Sequence, residues 1–370
     1  MVGGGIVGLC TAYQLAVRGF RVVLLERGRC GEGSTSRATG GVRTQFSSEV
    51  NVRLSLRSLA HFRDWAARYG GDPGYRSVGY LFLATEPAHL THQQRGAEVQ
   101  RACGARVELL DRDGIARYLP GLTIDVLGGS FGPDDGLADP GSAVTSLVSA
   151  CRRLGVEVAE GVAVHEVEER GGRATGVVAA TERLAADAVV LTAGVWTGPF
   201  TRGLGFEVPV RPHHRQVYRA LSAPGVPDPC PMTIDMGSGV YFHRDGQGLV
   251  FGGGDRESAP GWDDSFRPDE APRVIELLTR RIPKLADARL AGGWAGLRDM
   301  TPDDLAAVGP MPGVEGVHLA AGFSGHGFMH APAVGEVVAA LVDGEDPPVD
   351  VSALDPARFQ GELQPEAYVF

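Results

Sequence analysis

Gly3-Gly4-Gly5-Ile6-Val7-Gly8 opens the chain with a GxGxxG run. Apolar residues at helical spacing follow at once (Leu9, Tyr13, Leu15, Ala16), then Gly19, the run Val22-Val23-Leu24-Leu25, and Glu26. This order reads as a tight turn, a helix and a strand ending in an acid. In such a unit Gly3 permits the turn, Gly5 lets backbone approach a pyrophosphate, and Gly8 lets the helix pack closely on the strand. The helix N-terminus at Ile6 and Val7 faces the phosphates, and Glu26 accepts from a ribose hydroxyl. A bare GxGxxG carries little weight in a chain with 53 glycines among 370 residues. The same run with helix, strand and acid in register specifies a dinucleotide site. Only Met1 and Val2 precede Gly3, so the first strand is expected to be a stub or to begin upstream of this sequence's start.

Composition narrows the remaining classes. A formal net charge of −10, with no basic stripe or tail, disfavours nucleic acid and anionic membranes as partners. No run of 18 apolar residues suggests a membrane span, and no secretory or transit segment is expected. The five cysteines are scattered without a CxxC. That pattern fits reduced thiols in a cytoplasmic protein rather than a disulfide frame. Ten histidines show neither HxH nor HExxH, which disfavours a metal site. Lys284 is the only lysine, against 34 arginines.

Further along, residues 31–48 form a small, polar, glycine-rich loop suited to lie against a ligand. Helical periodicity is expected over 49–69, 87–103, 109–118, 142–154 and 268–282, with a strand at 80–84 and an irregular crossing over 130–142. Residues 162–192 alternate as a β-meander turning at Gly171-Gly172. Strand-like runs fill 206–255. From Gly292 the first pattern returns, with a strand at 317–320, a glycine-rich turn and a helix from Ala331. The expected fold is α/β: a discontinuous Rossmann-like dinucleotide-binding domain (1–75, 140–205 and 293–370) with an inserted antiparallel-sheet domain (76–139 and 206–292), which the resemblance below makes an FAD-binding and a substrate-binding domain.

Three signatures in this order resemble the D-amino-acid oxidase superfamily, nearest its glycine oxidase and sarcosine oxidase branches. They are GGGIVG with Glu26; GSTSRATGGVR (Gly33–Arg43); and GWAGLRDMTPDDL (Gly293–Leu305) with AAGFSGHGFMHAPAVG (Ala320–Gly335). The resemblance implies FAD and oxidation of an amine carbon that bears a carboxylate. It assigns Glu26, Arg27, Ser34, Thr35, Ser36 and Arg37 to the dinucleotide, Val164, Ala193 and Gly194 to its ADP half, and Gly325, His326, Gly327, Phe328 and Met329 to the flavin ring. Arg298 matches the arginine that pairs with the substrate carboxylate in glycine and D-amino-acid oxidases. Arg43 matches a carboxylate-binding arginine of the sarcosine oxidase branch, and Tyr241 a tyrosine of the substrate pocket.

That branch also places lysines where this chain has Met329 and Val250. His326 is then the one further group near the ring that could carry charge. The position used for covalent flavin falls near Gly296, so FAD is expected to be non-covalent. The reaction implied is hydride transfer from the α-carbon of an amino acid or N-alkyl amino acid, with oxygen or another electron acceptor completing the cycle. The alternatives are an amine dehydrogenase serving a partner or quinone, and a non-catalytic flavoprotein assembly factor. Homo- or hetero-oligomeric assembly is left open.

Overall fold

The computed structural model describes residues 1–123, 125–180, 182–254 and 258–368. Asp255, last of the strand-rich stretch 206–255, lies outside the described residues. One sheet carries the dinucleotide unit. Its order is Glu157–Glu160, Val23–Glu26, the single residue Val2, Val189–Leu191, Val317–Ala321 and Ala307–Pro310. All neighbours are parallel except the last pair. Val2 is the stub strand: it donates to Val190 O at 2.9 Å and accepts from Thr192 N at 2.9 Å, while Gly3 N reaches Leu25 O at 2.9 Å.

The helix Ile6–Val17 is buried on nearly every side, with Leu9, Cys10 and Ala12 fully enclosed. A Cβ on Gly335 of the helix Gly327–Asp343 would lie 2.7 Å from the Cys10 carbonyl carbon, so glycine sets the approach of these two helices. The helix Pro140–Arg153 covers the same region, capped by Asp139, which accepts from Ser142 N at 2.7 Å.

The second sheet has eight strands, from the edge Leu290–Met300 through Arg211–Ala220, Gly248–Gly253, Val240–Asp245, Met232–Asp235, Tyr80–Ala84 and Gly128–Gly132 to Glu108–Leu110. It is antiparallel apart from the pair Met232–Asp235 with Tyr80–Ala84. Its edge strand runs unbroken through position 293, so the GLR motif and the edge of this sheet are one element. The meander forms a small antiparallel sheet of Val164–Arg170, Arg173–Ala179 and Glu182–Ala185.

Among the elements that differ from the sequence expectation, three show why. Leu109 lies in a strand, because the helix starts only after Asp111, whose carboxylate accepts from Gly114 N at 2.8 Å. Gly128–Gly132 is a strand that runs into the start of the expected crossing. Its glycines suit close pairing, since a Cβ on Gly129 would sit 2.7 Å from Phe82 O. The last long helix begins at Gly327, not at Ala331, and carries Pro332 inside it. A proline read as a helix-start signal misplaces this N-terminus, which matters because the helix begins at the cavity.

Candidate active site

A cavity of about 590 Å³ runs between the two sheets, from the first glycine turn to the helix starting at Gly327. At one end Gly3 has φ 104°, and a Cβ there would lie 2.5 Å from Thr192 O. A Cβ on Gly8 would lie 2.0 Å from Gly3 O, so Gly8 serves helix–strand packing and does not line the cavity. Gly5 differs from both: its nearest neighbour would be Thr35 Oγ1 at 3.4 Å, and the space before it is cavity. Ile6 and Val7 also line it. The helix behind them has no side-chain cap and no acid in its first turn. Its Ile6 N–H donates to Thr35 Oγ1 at 3.1 Å.

Glu26 accepts from Gly4 N at 2.7 Å and Gly28 N at 2.8 Å, which fixes its carboxylate on the cavity wall. Arg27 lies 3.6 Å over the Trp196 ring, beside Val164, Ala193 and Gly194. Ser34 ties its loop to the edge strand through Leu297 O at 2.7 Å. Arg37 lines the cavity, packed where a side chain on Gly296 would be. Ser36 departs from expectation. It is absent from the lining, and its hydroxyl closes the loop on Glu32 O and Gly33 O.

At the other end, Asp299 holds the glycine turn. Its carboxylate accepts from Gly322 N at 2.9 Å and Phe323 N at 3.1 Å, and its carbonyl from Ser324 N at 2.9 Å. Burial pushes the Asp299 carboxyl pKa up, with those amides opposing the shift. The next residues, Gly325 through Met329, line the cavity. The helix from Gly327 has no side-chain cap, and first-turn amides of a helix have no intrahelical acceptor. Arg298, beside Asp299, packs on this turn: Gly325 has φ 91°, and a Cβ there would lie 2.8 Å from Arg298 Nε.

Arg43 also lines the cavity, in a different setting. Its side chain is buried, with Cζ 3.9 Å over the Phe46 ring. NH1 donates to Gln45 O, and NH2 donates to Tyr368 O at 2.5 Å and lies 3.2 Å from His326 Nε2. Burial, with the neighbouring Arg43 charge, holds the His326 imidazole well below the usual histidine range. His326 is therefore neutral, which corrects the expectation that it could supply a cation. The same causes push His330 down to about 3; its Nε2 meets Ser55 Oγ at 2.9 Å.

Tyr241 faces the cavity with Tyr80, Val217, Met232 and Ile234. A Cβ on Gly252, its partner on the neighbouring strand, would lie 2.6 Å from the Tyr241 hydroxyl. Val250 is buried but does not line the cavity, so the strand position matched to a lysine stands off the site. Sequence reasoning gave no role to Arg215, Trp196, Tyr80 or Asp299. Asp299 stood within the quoted GLRDMTP motif, and alternation along Arg211–Ala220 places Arg215 on the face of Val217. Among the described residues no group of three or more His, Cys, Asp or Glu could hold a metal, all five cysteines are free, and no helix is long and apolar enough to cross a membrane.

The cavity suits FAD: an open space before a Cβ-free Gly5, a helix N-terminus at each end whose N-cap residue makes no side-chain cap, and a carboxylate fixed near the first. Comparison with known proteins agrees. The family model of FAD dependent oxidoreductases, DAO, matches residues 1–341. A Xenopus laevis protein, FAD-dependent oxidoreductase domain-containing protein 1, is 31% identical over 97% of this chain and 82% of its own length. The crystal structure of L-proline dehydrogenase from P. horikoshii superposes with a TM-score of 0.92 at 31% identity, covering 98% of each chain. Glycine oxidase from Geobacillus kaustophilus gives 0.85 at 25% identity, covering 96% of this chain and 97% of its own. This chain belongs to the DAO family of FAD-dependent oxidoreductases, as an amino-acid or amine oxidoreductase.

Proposed function

We propose that the protein oxidises an amino acid or N-alkyl amino acid at its α-carbon, with Arg298 holding the carboxylate. The observation that carries this reading is the seating of Arg298 on Gly325, which puts a planar guanidinium beside the turn that leads into the helix from Gly327. A guanidinium binds carboxylate in bidentate fashion, and a site shielded from water strengthens the pair. FAD held between the Gly5 turn and the helix from Gly327 would supply the two-electron acceptor for oxidation of the amine carbon, and water would hydrolyse the resulting imine. Val217, Met232 and Ile234 give an apolar wall for an amine substituent or side chain. Tyr241 borders the same wall. The first turn from Gly327 to Met329 lines the cavity without a side-chain cap, and its amide dipoles would favour negative charge on a flavin ring bound there. A substrate amine bound neutral needs no protein base; orientation then supplies most of the rate.

The FAD is bound non-covalently in this reading. The position of the family's covalent linkage falls near Gly296, which has no side chain and packs on Arg37. The purified protein is yellow, and acid precipitation releases FAD into the supernatant; flavin retained by the denatured chain contradicts this. The substrate class is tested by anaerobic addition of glycine, sarcosine, proline and a series of D- and L-amino acids. Bleaching of the flavin by at least one supports the reading, and bleaching by none overturns it.

A second reading, a dehydrogenase that passes electrons to an acceptor other than oxygen, is favoured by one set of residues. Met329, which lines the cavity, stands where the sarcosine oxidase branch has a lysine, and His326 is neutral. Fewer cations beside the ring slow the first electron transfer to oxygen. The likeness to L-proline dehydrogenase points the same way. Mixing the substrate-reduced protein with aerated buffer decides: reoxidation at least as fast as turnover contradicts the dehydrogenase reading.

A further inference from the structure

We propose that the segment 362–368, far in sequence from the site, is a positioning element that holds Arg43 as a fixed charge at the flavin turn. The inference rests on the reading of the cavity as an FAD site. Three observations converge on it.

The first is an anchor. The Glu366 carboxylate is buried and accepts from Ser47 N at 2.8 Å, Ser48 N at 3.1 Å, Ser48 Oγ at 2.5 Å and Asn51 Nδ2 at 3.0 Å. Ser47 Oγ donates to it as well. Ser48 is the N-cap residue of Glu49–Arg63, whose own side chain makes no cap. Glu366 takes that place from a distant part of the chain, where the helix N-terminus favours an anion.

The second is a plug. The Tyr368 ring is fully buried, 5.3 Å from Phe82 and 4.6 Å from His92 between ring centroids. A side chain on Gly96 would collide with it, at 2.7 Å from the hydroxyl. Anchor and plug fix the backbone between them.

The third is what that backbone presents. Tyr368 O accepts from Arg43 NH2 at 2.5 Å, while Gln45 O takes NH1 and His326 Nε2 lies 3.2 Å away. Gln45 is held in turn, its Nε2 donating to Tyr80 O at 3.0 Å and its Oε1 accepting from Ser130 Oγ at 2.8 Å. The guanidinium is stacked on Phe46, so its plane is set too. These hydrogen-bond partners are neutral; burial pulls the guanidinium pKa down, while the more distant Glu366 and Asp135 carboxylates support its charge. Arg43 thus keeps its charge in a fixed orientation beside His326, the N-cap residue of the helix that lines the ring end of the cavity. A cation so placed favours negative charge on the flavin whether or not a substrate carboxylate is present. Arg43 is then no substrate clamp, and Glu366 and Tyr368 act through it.

The experiment is a double-mutant cycle read by sulfite, which adds to oxidised flavin more tightly the better the site stabilises negative charge. It uses the FAD-loaded full chain and no amino acid. Arg43→Met should weaken sulfite binding about tenfold or more, the scale expected for losing one charge in a partly shielded site. Glu366→Ala should weaken it in the same direction, and the two together no more than Arg43→Met alone. A tail that only stabilises the fold would leave sulfite affinity within twofold of wild type in Glu366→Ala, or would weaken it independently of Arg43; either result overturns the proposal. An unchanged affinity in Arg43→Met overturns the fixed charge itself. If Glu366→Ala does not accumulate with flavin bound, Glu366→Gln is read by the same criteria. A wild-type chain that binds no FAD would sink the reading of the cavity instead, so the two failures are distinguishable.

Discussion

Arg298 and Arg43 line the same cavity and carry the same charge, yet their surroundings are opposite. Arg298 sits partly exposed on an edge strand of the eight-stranded sheet, against a turn that has no side chain at Gly325. Arg43 is buried, stacked on an aromatic ring, and bonded to two backbone carbonyls and a neutral histidine. The contrast teaches that motif position alone does not settle a role. Both arginines match positions that bind carboxylate in the family they resemble, but Arg43 could meet a ligand only by giving up its buried backbone contacts, whereas Arg298 lies partly exposed at the cavity face. In the reading proposed here, Arg43 acts as a fixed charge and Arg298 as the carboxylate ligand.

The largest effect is expected from Arg298→Met. Loss of one partner of a desolvated charge pair costs about 2–5 kcal/mol, or roughly 30-fold or more in kcat/KM. The loss should appear in KM, with FAD still bound. Steady-state kinetics on the flavin-loaded variant checks this, and a near-neutral result moves the clamp to another residue, Arg215 being the nearest candidate by strand register.

Arg43→Met should break the contrast from the other side. It leaves Gln45 O and Tyr368 O without their donor, which costs about 1–3 kcal/mol of stability. The catalytic defect should fall on kcat more than on KM. Thermal unfolding with parallel kinetics checks both parts; a rise in KM like that of Arg298→Met would erase the distinction.

A smaller change sharpens it. Gly325→Ala forces an alanine into φ 91° and places a methyl 2.8 Å from Arg298 Nε. Backbone strain of about 1–2 kcal/mol and a displaced guanidinium are expected. KM should rise by up to about tenfold while sulfite affinity, which reads Arg43, stays near wild type.

The smallest effect concerns pH. His330 is pushed down to about 3, well below the ordinary histidine value of about 6.5. Between those values the unfolded chain binds a proton that the folded chain refuses, so stability falls as pH drops through the window, by up to about 1.4 kcal/mol per unit per group. His326 acts in the same sense. Asp135 opposes them: burial pushes it up to about 7, so its contribution is lost as pH rises toward that value. His330→Gln should flatten the acid side of the stability profile by about one proton. Denaturant melts at two pH values between 4 and 6 measure the slope, and an unchanged slope contradicts the buried neutral imidazole.

Much of this architecture was legible in the chain. Periodicity and glycine placement mark the βαβ opening because local chemistry dictates it: a turn at Gly3, a close contact at Gly8 and an open approach at Gly5 are each visible as glycine at the right spacing. The strand Val317–Ala321 and the following turn were legible for the same reason. What was not legible depends on distant partners. Gly128–Gly132 has poor strand propensity and is a strand only because two neighbours pair with it. The helix from Gly327 hides behind Pro332, which reads as a start. The roles of Asp299, Glu366 and Tyr368 require knowing which backbone amides and guanidinium they meet, and nothing in their local sequence announces that. His326 lies at the cavity, where burial and the Arg43 charge remove the charge it could have carried.

The most direct test is the anaerobic reductive half-reaction, followed by rapid mixing over a range of substrate concentrations for wild type, Arg298→Met and Arg43→Met. The account predicts that substrate bleaches the wild-type flavin, that Arg298→Met raises the half-saturating concentration while keeping a limiting rate near wild type, and that Arg43→Met lowers the limiting rate with little change in half-saturation. Equal defects in both variants, or the reverse assignment, would contradict the division between a substrate-binding and a fixed guanidinium.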